Sequence, residues 1–189
     1  MRLTALLARA AHRLLRDYQL NWIYAAPARP VAPAMDGLRL RPMQPSDLAV
    51  AERSADIQVR KLLGYPGSGA QGLVLADGRG EPLCVAHFVD RARYGYPEVW
   101  PLGEDQLALI DIVTLPEARG RGHAARLIGA STRALLGEGG RTGAICFIWW
   151  NHRASIRAFR RAGWRPIGFS ARIVTHANRA RQFRLRLRA

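Results

Sequence analysis

Residues 106–126 read QLALIDIVTLPEARGRGHAAR, and this stretch predicts a buried strand that leads through a short loop into a helix. Its first part is an almost continuous run of apolar, β-rich residues, which is typical of a central strand covered on both faces. Pro116 then ends the strand, because proline cannot donate to the hydrogen-bonded ladder. Beyond it, apolar residues recur at helical spacing at Ala124, Leu127, Ile128 and Leu135.

The loop between this strand and this helix has the composition of an anion-binding site. Gly120 and Gly122 have no side chain, so a ligand can approach the backbone there closely. The first N–H groups of a helix lack partners within the helix, and the helix dipole favours negative charge at that end. Arg119 and Arg121 add positive charge to the same loop. We therefore expect residues 119–125 to bind phosphate.

Two other phosphate-binding patterns do not fit this loop. The dinucleotide fingerprint G-x-G-x-x-G fails because Ala125 stands where the third glycine is required, and no acidic residue follows at the expected distance. The P-loop pattern fails because the loop has no Gly-Lys-Ser/Thr. The loop does match the pattern R-x-x-G-x-G/A, with Arg119, Gly122 and Ala124 at its fixed positions.

This loop resembles the pyrophosphate loop of the GNAT superfamily, the acyl-CoA-dependent N-acyltransferases. A second block, one strand further along the chain, also resembles that superfamily. The residues at its marked positions are Asn151, Ser155, Phe159, Gly163 and Trp164. Phe159 and Trp164 depart from the usual residues, because the superfamily commonly has a tyrosine at the first of these positions. The resemblance extends over about residues 38–188.

The resemblance implies an α/β (α+β) fold, with a mixed, largely antiparallel sheet flanked by helices. It implies acetyl-CoA or another acyl-CoA as co-substrate and an amine as acceptor. The backbone of the central strand would hold the pantetheine arm and polarise the acyl carbonyl, through Ile112, Val113 and Thr114. The expected contacts for the pyrophosphate are Arg119, Gly120, Arg121, Gly122, His123, Ala124 and Ala125. Asn151 and Phe159 are further expected cofactor contacts.

Asp111 is the candidate proton acceptor for the attacking amine. It interrupts an apolar strand, and a buried carboxylate without partners costs several kcal/mol, so its presence requires a reason. The alternative is structural, in which Asp111 pairs with an arginine or caps a loop. One branch of the superfamily uses a glutamate five residues before the motif asparagine as its base. Cys146 occupies that position here, which excludes the same solution.

Two histidines and one asparagine each have two interpretations. His87 lies in a predicted strand, where it either shuttles a proton near neutral pH or is a satisfied core histidine. His123 lies in the loop motif and faces either a phosphate or solvent. Asn151 is expected to cap the helix that follows it, which is compatible with a cofactor contact.

Composition predicts one globular domain with a strongly basic surface. The 189 residues are 49% hydrophobic, which is enough to bury a sizeable core. Cys84 and Cys146 lie far apart and predict neither a disulfide framework nor a metal site, so a cytoplasmic location is the default. The formal net charge of +15 suggests an anionic partner. Nucleic acid is disfavoured, because no nucleic-acid-binding motif accompanies the charge and Lys61 is the only lysine, which favours a compositional origin.

The first 34 residues are predicted to lie outside the acyltransferase domain, which would occupy residues 35–189. Leucines at helical spacing with arginines to one side predict a basic amphipathic helix over residues 1–20. This helix either contacts an anionic membrane peripherally or packs against the domain or a second subunit in a homodimer, and the second alternative is favoured. Residues 21–34 hold Pro27, Pro30 and Pro33 and predict an extended linker.

The remaining elements alternate between strands and helices. Strands are predicted at residues 38–43, 72–76, 83–89, 143–150, 164–169 and 182–187. Helical segments are predicted at 47–63, in either one piece or two, and at 153–162. The aromatic loop at 91–103 either lines the acceptor site or covers the sheet edge. The function indicated is acyl-CoA-dependent N-acyl transfer. The alternatives are a non-catalytic acyl-CoA-binding module and a basic protein that binds a membrane or nucleic-acid surface.

Overall fold

The structure, a computed structural model, describes residues 15–31, 33–137, 140–176 and 179–187. The strands are β1 (Leu15–Ala25), β2 (Arg39–Pro42), β3 (Gln71–Ala76), β4 (Pro82–Val89), β5 (Gln106–Thr114), β6 (Gly143–Trp149), β7 (Arg165–Thr175) and β8 (Ala180–Arg186). The α-helices are α1 (Leu48–Arg53), α2 (Ile57–Arg60), α3 (His123–Gly137) and α4 (Arg153–Arg161). Short 3₁₀ turns occupy Pro45–Asp47, Lys61–Gly64, Arg91–Arg93 and Pro116–Ala118.

The strands form one mixed sheet in the order β2-β3-β4-β5-β6-β1-β7-β8. In the described part of the chain β5 and β6 run parallel, and every other neighbouring pair is antiparallel. The expectation of a mixed, largely antiparallel sheet flanked by helices is therefore confirmed. The β5–loop–α3 unit predicted from residues 106–126 lies at the centre of this sheet.

The prediction for the N-terminal region is wrong over residues 15–25. A helix through residue 20 and a linker from residue 21 were expected, whereas the chain forms β1 between β6 and β7. The aromatic and β-branched residues Tyr18, Trp22, Ile23 and Tyr24 favour a strand, and Ile23 and Tyr24 are both buried. This part of the chain therefore belongs to the same sheet as the rest. The predicted helix over residues 1–14 lies outside the described residues.

Helices cover both faces of the sheet. On one face, Leu127 and Ile128 of α3 and Phe159 of α4 pack on strand residues such as Leu109. On the other face, α1 and α2 contribute Ala51 and Val59 to a second cluster. Residues alternate between the faces along each strand, so Ile112 packs on the α3 side and Val113 on the α2 side.

The helical segment predicted at residues 47–63 is divided in two, because the chain becomes extended at Ser54 and restarts at Asp56. Asp56 is the N-cap of α2 and accepts hydrogen bonds from the backbone N–H groups of Gln58 and Val59. The strand predicted at 164–169 is found, but it continues to Thr175, six residues beyond its expected end. The other predicted strands and the helix at 153–162 are found with differences of one or two residues at their ends. Among the described residues, none of the helices combines the length and apolar character that a bilayer crossing requires.

Candidate functional site

β5 and β6 separate part-way along their length. They pair only from Gln106 opposite Gly143 to Ala108 opposite Ile145. β5 then continues to Thr114 and β6 to Trp149 without further pairing to each other. The β6-facing edge of β5 is therefore open from Leu109 onward within the described chain. An open strand edge presents backbone N–H and C=O groups to a ligand.

A β-bulge lies where this separation begins. The register between β4 and β5 shifts between the pairs His87–Asp111 and Phe88–Leu109, so Ile110 has no residue opposite it. A bulge bends its strand and changes the direction of neighbouring side chains. The irregularity falls beside Asp111, the candidate proton acceptor.

The loop from Leu115 to Gly122 ends in backbone N–H groups at the start of α3 that have no partner within the described part of the chain. The first helical hydrogen bond is donated by the Arg126 N–H to the Gly122 carbonyl, over 3.2 Å. The N–H groups of residues 123–125 therefore precede the helical ladder, as at any helix start. Gly120 and Gly122 both have φ of +79°, a conformation that residues with a Cβ rarely adopt. This geometry agrees with the predicted anion-binding loop.

Of the two arginines predicted to add positive charge to this anion site, Arg119 lines the cleft and is ion-paired. Arg119 donates from Nη2 to Asp56 Oδ2 over 2.6 Å and from Nε to the Thr114 carbonyl over 3.1 Å. Its guanidinium thus ties the loop to the N-cap of α2. The Asp56 carboxylate partly neutralises it, and the Arg119 guanidinium holds the pKa of Asp56 below its usual value.

A cleft of about 770 Å³ joins the open edge of β5 to the start of α3 and to α4. Nine of the predicted cofactor-contact residues line it: Ile112, Val113, Thr114, Arg119, Gly120, Gly122, His123, Ala124 and Ala125. From α4 and the residue before it come His152, Ala154, Ser155, Arg157, Ala158 and Arg161. Arg157 and Arg161 are cationic, so α4 contributes positive charge that was not predicted at this site.

Arg121, Asn151 and Phe159 are not among the described residues that line the cleft. Arg121 is exposed, and its carbonyl accepts a 2.8 Å hydrogen bond from Arg126 Nη1. The predicted capping role of Asn151 is wrong, because the N-cap of α4 is His152, with no side-chain cap hydrogen bond. Asn151 lies one residue earlier and is exposed.

Phe159 is a core residue. Its side chain is 2% exposed and makes an edge-on contact with Trp164, with the ring centroids 5.0 Å apart. Its ring also lies 6.4 Å from that of Tyr24 on β1. Within the described chain, Phe159 therefore fills the space between α4 and the sheet rather than facing the cleft.

His123 is the buried titratable side chain of the loop. It is 9% exposed, and its Nδ1 has no hydrogen-bond partner among the described residues. Burial, followed by the nearby charges of Arg126 and Arg121, lowers the pKa of His123. The alternative of a solvent-facing His123 is wrong, because the side chain is buried at the cleft wall.

Asp111 is half-buried and is held by a residue that the sequence did not indicate. The Tyr65 hydroxyl donates to Asp111 Oδ2 over 3.0 Å. Tyr65 follows the 3₁₀ turn Lys61–Gly64, so a loop residue contacts the bulged strand β5. Nothing in the local sequence around Tyr65 predicts this contact, since the two residues are 46 positions apart. The alternative that Asp111 pairs with an arginine is not found among the described salt bridges.

His87 lies opposite Asp111 on β4 and packs against Tyr65. The two rings are stacked, with centroids 3.7 Å apart and planes inclined by 11°. His87 is 1% exposed, and its Nδ1 has no partner in the described chain. Burial lowers the pKa of His87 to about 4, although the Asp111 carboxylate acts in the opposite direction. The imidazole is therefore neutral at pH 7, which disfavours proton shuttling at that pH.

The aromatic loop at 91–103 mainly covers the sheet. Tyr94, Val99, Trp100 and Leu102 are buried in a cluster with strand residues of β1, β4, β5 and β6. Tyr96 differs, because it is 44% exposed and contacts Phe147 of β6 edge-on, with centroids 5.1 Å apart. Phe147 lies on the part of β6 that has separated from β5.

The comparisons with known proteins are consistent with this geometry. No protein-family model matches the sequence, and no curated protein matches it. A GCN5-related N-acetyltransferase from Sphaerobacter thermophilus is similar in structure, with a TM-score of 0.60 and 15% identity over 98% of this chain. An acetyltransferase of the GNAT family from Colwellia psychrerythraea has a TM-score of 0.59 and 16% identity over 95% of this chain. This chain spans only 58% and 61% of those two chains.

A third similar structure is AAC(6′)-Ib in complex with paromomycin and acetyl-CoA, with a TM-score of 0.57 and 17% identity. The match covers 80% of this chain and 94% of that one. At identities this low, the structural similarity shows the fold and does not identify the substrate. Together with the sheet order and the separated parallel strands, these matches show that the described chain has the fold of the GNAT acetyltransferases.

Proposed function

We propose that this protein is an acyl-CoA-dependent N-acyltransferase that uses acetyl-CoA and transfers its acetyl group to an amine. One observation carries the proposal: the open edge of β5 leads directly to the free N–H groups at the start of α3 within a single cleft. An acyl-CoA needs both parts, because its pantetheine arm contains amides and its other end carries a pyrophosphate.

The chemistry of the cleft fits each part of this donor. Backbone groups of Ile112, Val113 and Thr114 on the open edge suit the amides of the pantetheine arm, as in the addition of a strand to a sheet edge. The N–H groups of residues 120–125 suit the pyrophosphate. Arg157 and Arg161 line the same cleft and complement its charge.

The reaction requires a neutral amine and a route for one proton. The amine nitrogen forms a bond to the acyl carbon, the C–S bond breaks, and the sulfur leaves as a thiolate. Asp111 accepts the proton that the amine loses. It is half-buried, lies three residues beyond the last β5–β6 pair, and immediately precedes the β5 residues that line the cleft. Positioned general bases contribute about 10²- to 10⁴-fold to a rate.

The leaving group does not require a dedicated acid. The thiol of CoA has a pKa of roughly 8.5 by analogy with cysteine, so a thiolate is an adequate leaving group at neutral pH. Phe159 stands where the resembled superfamily commonly has a tyrosine, and it supplies packing without a hydroxyl. Cys84 and Cys146 do not serve as nucleophiles, because burial raises the pKa of each thiol.

Calorimetric titration with CoA and acetyl-CoA, followed by a thiol-release assay, tests the proposal. The acceptor panel contains a polyamine, an aminoglycoside, glucosamine and a peptide with a free N-terminus. We expect acetyl-CoA to bind with an affinity between about 1 μM and 1 mM, which is usual for substrates. At least one amine should accelerate thiol release over acetyl-CoA alone. Absence of CoA binding by the folded protein would refute the proposal.

Two other outcomes assign the protein to different functions. CoA binding without turnover by any amine favours a non-catalytic acyl-CoA-binding module. Salt-sensitive binding to anionic vesicles or to nucleic acid, without CoA binding, favours the basic surface-binding function. A cytoplasmic location, membrane contact through residues 1–20 and homodimer formation are further proposals, which fractionation, vesicle sedimentation and light scattering test.

A further inference from the structure

Tyr65 links three segments that are far apart in the sequence. Its hydroxyl contacts Asp111 on β5, and its ring lies flat against His87 on β4. The residue itself belongs to the loop after the turn Lys61–Gly64, outside the sheet. Two contacts therefore hold Tyr65: its hydroxyl lies 3.0 Å from Asp111 Oδ2, and the centroid of its ring lies 3.7 Å from that of His87.

The hydroxyl of Tyr65 acts as a donor and leaves half of the Asp111 carboxylate free. Burial, followed by the charge and hydrogen bond of Asp111, raises the pKa of Tyr65 well above its usual value. The phenol therefore stays protonated and is a poor acid for a leaving thiolate. It donates to Oδ2, whereas Oδ1 has no hydrogen-bond partner among the described residues.

The stack on His87 restricts the position of the phenol. His87 is 1% exposed and is fixed in the register between β4 and β5. A buried, neutral imidazole gives the Tyr65 ring a flat surface without a competing charge. With the ring held on one side, the hydroxyl has little freedom to move away from Oδ2.

We propose that Tyr65 is a positioning residue for acyl transfer, which fixes the Asp111 carboxylate so that Oδ1 faces the amine. The inference rests on the proposed function, in which Asp111 accepts the amine proton. The carboxylate torsion of an aspartate is otherwise broad, so an unrestrained Asp111 would spend much of its time misdirected. Misplacement of a reacting group by 1 Å can cost about 10²-fold in rate.

The test compares Tyr65→Phe with Tyr94→Phe in the full chain. Both variants keep an aromatic ring and remove a buried hydroxyl, but Tyr94 is 8% exposed in the core and its hydroxyl has no partner in the described chain. Acetyl-CoA affinity, unfolding temperature, kcat and acceptor KM are measured with the most active amine of the panel. Tyr65→Phe should lower kcat by about 10-fold while KM and acetyl-CoA affinity stay unchanged. Tyr94→Phe should leave kcat at the wild-type value.

A double-mutant cycle with Asp111→Asn identifies the route of the effect. If Tyr65 acts through Asp111, Tyr65→Phe should cause no further loss of kcat in the Asp111→Asn background. A second amine of low basicity, hydroxylamine, should lose less rate than an aliphatic amine, because it is largely neutral before it attacks. A loop that is merely loosened would lower the rates of both amines equally and would lower the unfolding temperature.

The outcomes separate this inference from the function on which it rests. An active wild type with equal kcat in Tyr65→Phe overturns the positioning role and leaves N-acyl transfer intact. Additive losses in the double variant also overturn it, because they show that Tyr65 acts independently of Asp111. A wild type that binds acetyl-CoA without turnover refutes the proposed enzyme, and the positioning role fails with it.

Discussion

Replacing Gly122 by glutamate should abolish most of the affinity for CoA. Gly122 lines the cleft and precedes the free N–H groups of α3. A Cβ built on it has Arg126 Nη1 as its nearest atom, at 3.4 Å, so the side chain fits but projects beside the anion site. The new carboxylate would lie next to the pyrophosphate and repel it.

The size of the effect follows from Coulomb's law. Two unit charges about 5 Å apart repel each other by about 3 kcal/mol at an effective dielectric constant of 20. A loss of this size raises Kd by about 100-fold. Gly122→Gln separates charge from bulk, because it has nearly the same volume without the charge. We expect it to weaken binding less than glutamate does.

A side chain at position 122 also lowers the stability of the fold, so a control variant must separate this loss from the loss of CoA affinity. Gly122 has φ of +79°, and a Cβ in that conformation costs about 1–2 kcal/mol of stability. Gly80 has φ of +91°, has open space around its Cβ position and lies in the β3–β4 turn. Gly80→Glu should therefore share the loss of stability but keep wild-type CoA affinity. The Kd for CoA is measured by calorimetry for each variant. Wild-type affinity in folded Gly122→Glu would refute the proposal that this loop binds the pyrophosphate.

Three further substitutions test other parts of the structure. Asp111→Asn should lower kcat by about 10²-fold with unchanged CoA affinity. A variant that unfolds at a clearly lower temperature, while its folded fraction turns over normally, would instead show that Asp111 is structural. His87 should titrate near pH 4 by NMR. The pKa of His87 in the folded state lies below its unfolded value of about 6.5, so protonation favours the unfolded chain. The free energy of unfolding should therefore fall by up to about 3 kcal/mol as the pH is lowered from 6.5 to 4. His87→Gln should remove this pH dependence. Asp47→Ala should lower the free energy of unfolding by about 2 kcal/mol in chemical denaturation, because it removes the two 2.7 Å hydrogen bonds that the partly exposed Arg41 donates to the buried Asp47 carboxylate. A loss below about 1 kcal/mol would contradict this.

The donor side of the site could be predicted from sequence because its signals are local. The apolar strand, Pro116, the two glycines and the helix start all lie within residues 106–126. The structure places the end of the strand, the two glycines and the helix start in one cleft wall. The partner of Arg119 could not be predicted in this way. Asp56 lies 63 positions away, and its role as the N-cap of α2 gives no sign of a second contact.

The error at the N-terminus has a similar physical origin. Leucine spacing within residues 1–20 favours a helix, and a prediction from this periodicity gives too little weight to the aromatic and β-branched residues that begin at Tyr18. The neighbours of β1 are β6 and β7, more than a hundred residues later in the chain. Pairing on both edges and burial of Ile23 and Tyr24 outweigh any local helical preference.

The two sides of the site therefore differ in how a change of sequence would affect them. The strand and loop of the proposed donor side form one continuous segment that presents its backbone to the cleft, with Arg157 and Arg161 of α4 beside it. We expect this side to tolerate most side-chain substitutions in that segment outside its glycines. The proposed proton-accepting side is formed by Tyr65, His87 and Asp111, which come from a loop and two strands. The loop after Lys61–Gly64 packs on the site through Tyr65 and is otherwise largely exposed. If the proposed function holds, we expect changes in that loop to alter the acceptor that is used while acyl-CoA binding persists. The identity of the amine should accordingly be sought by varying residues 63–70 and measuring acceptor preference at constant acetyl-CoA affinity.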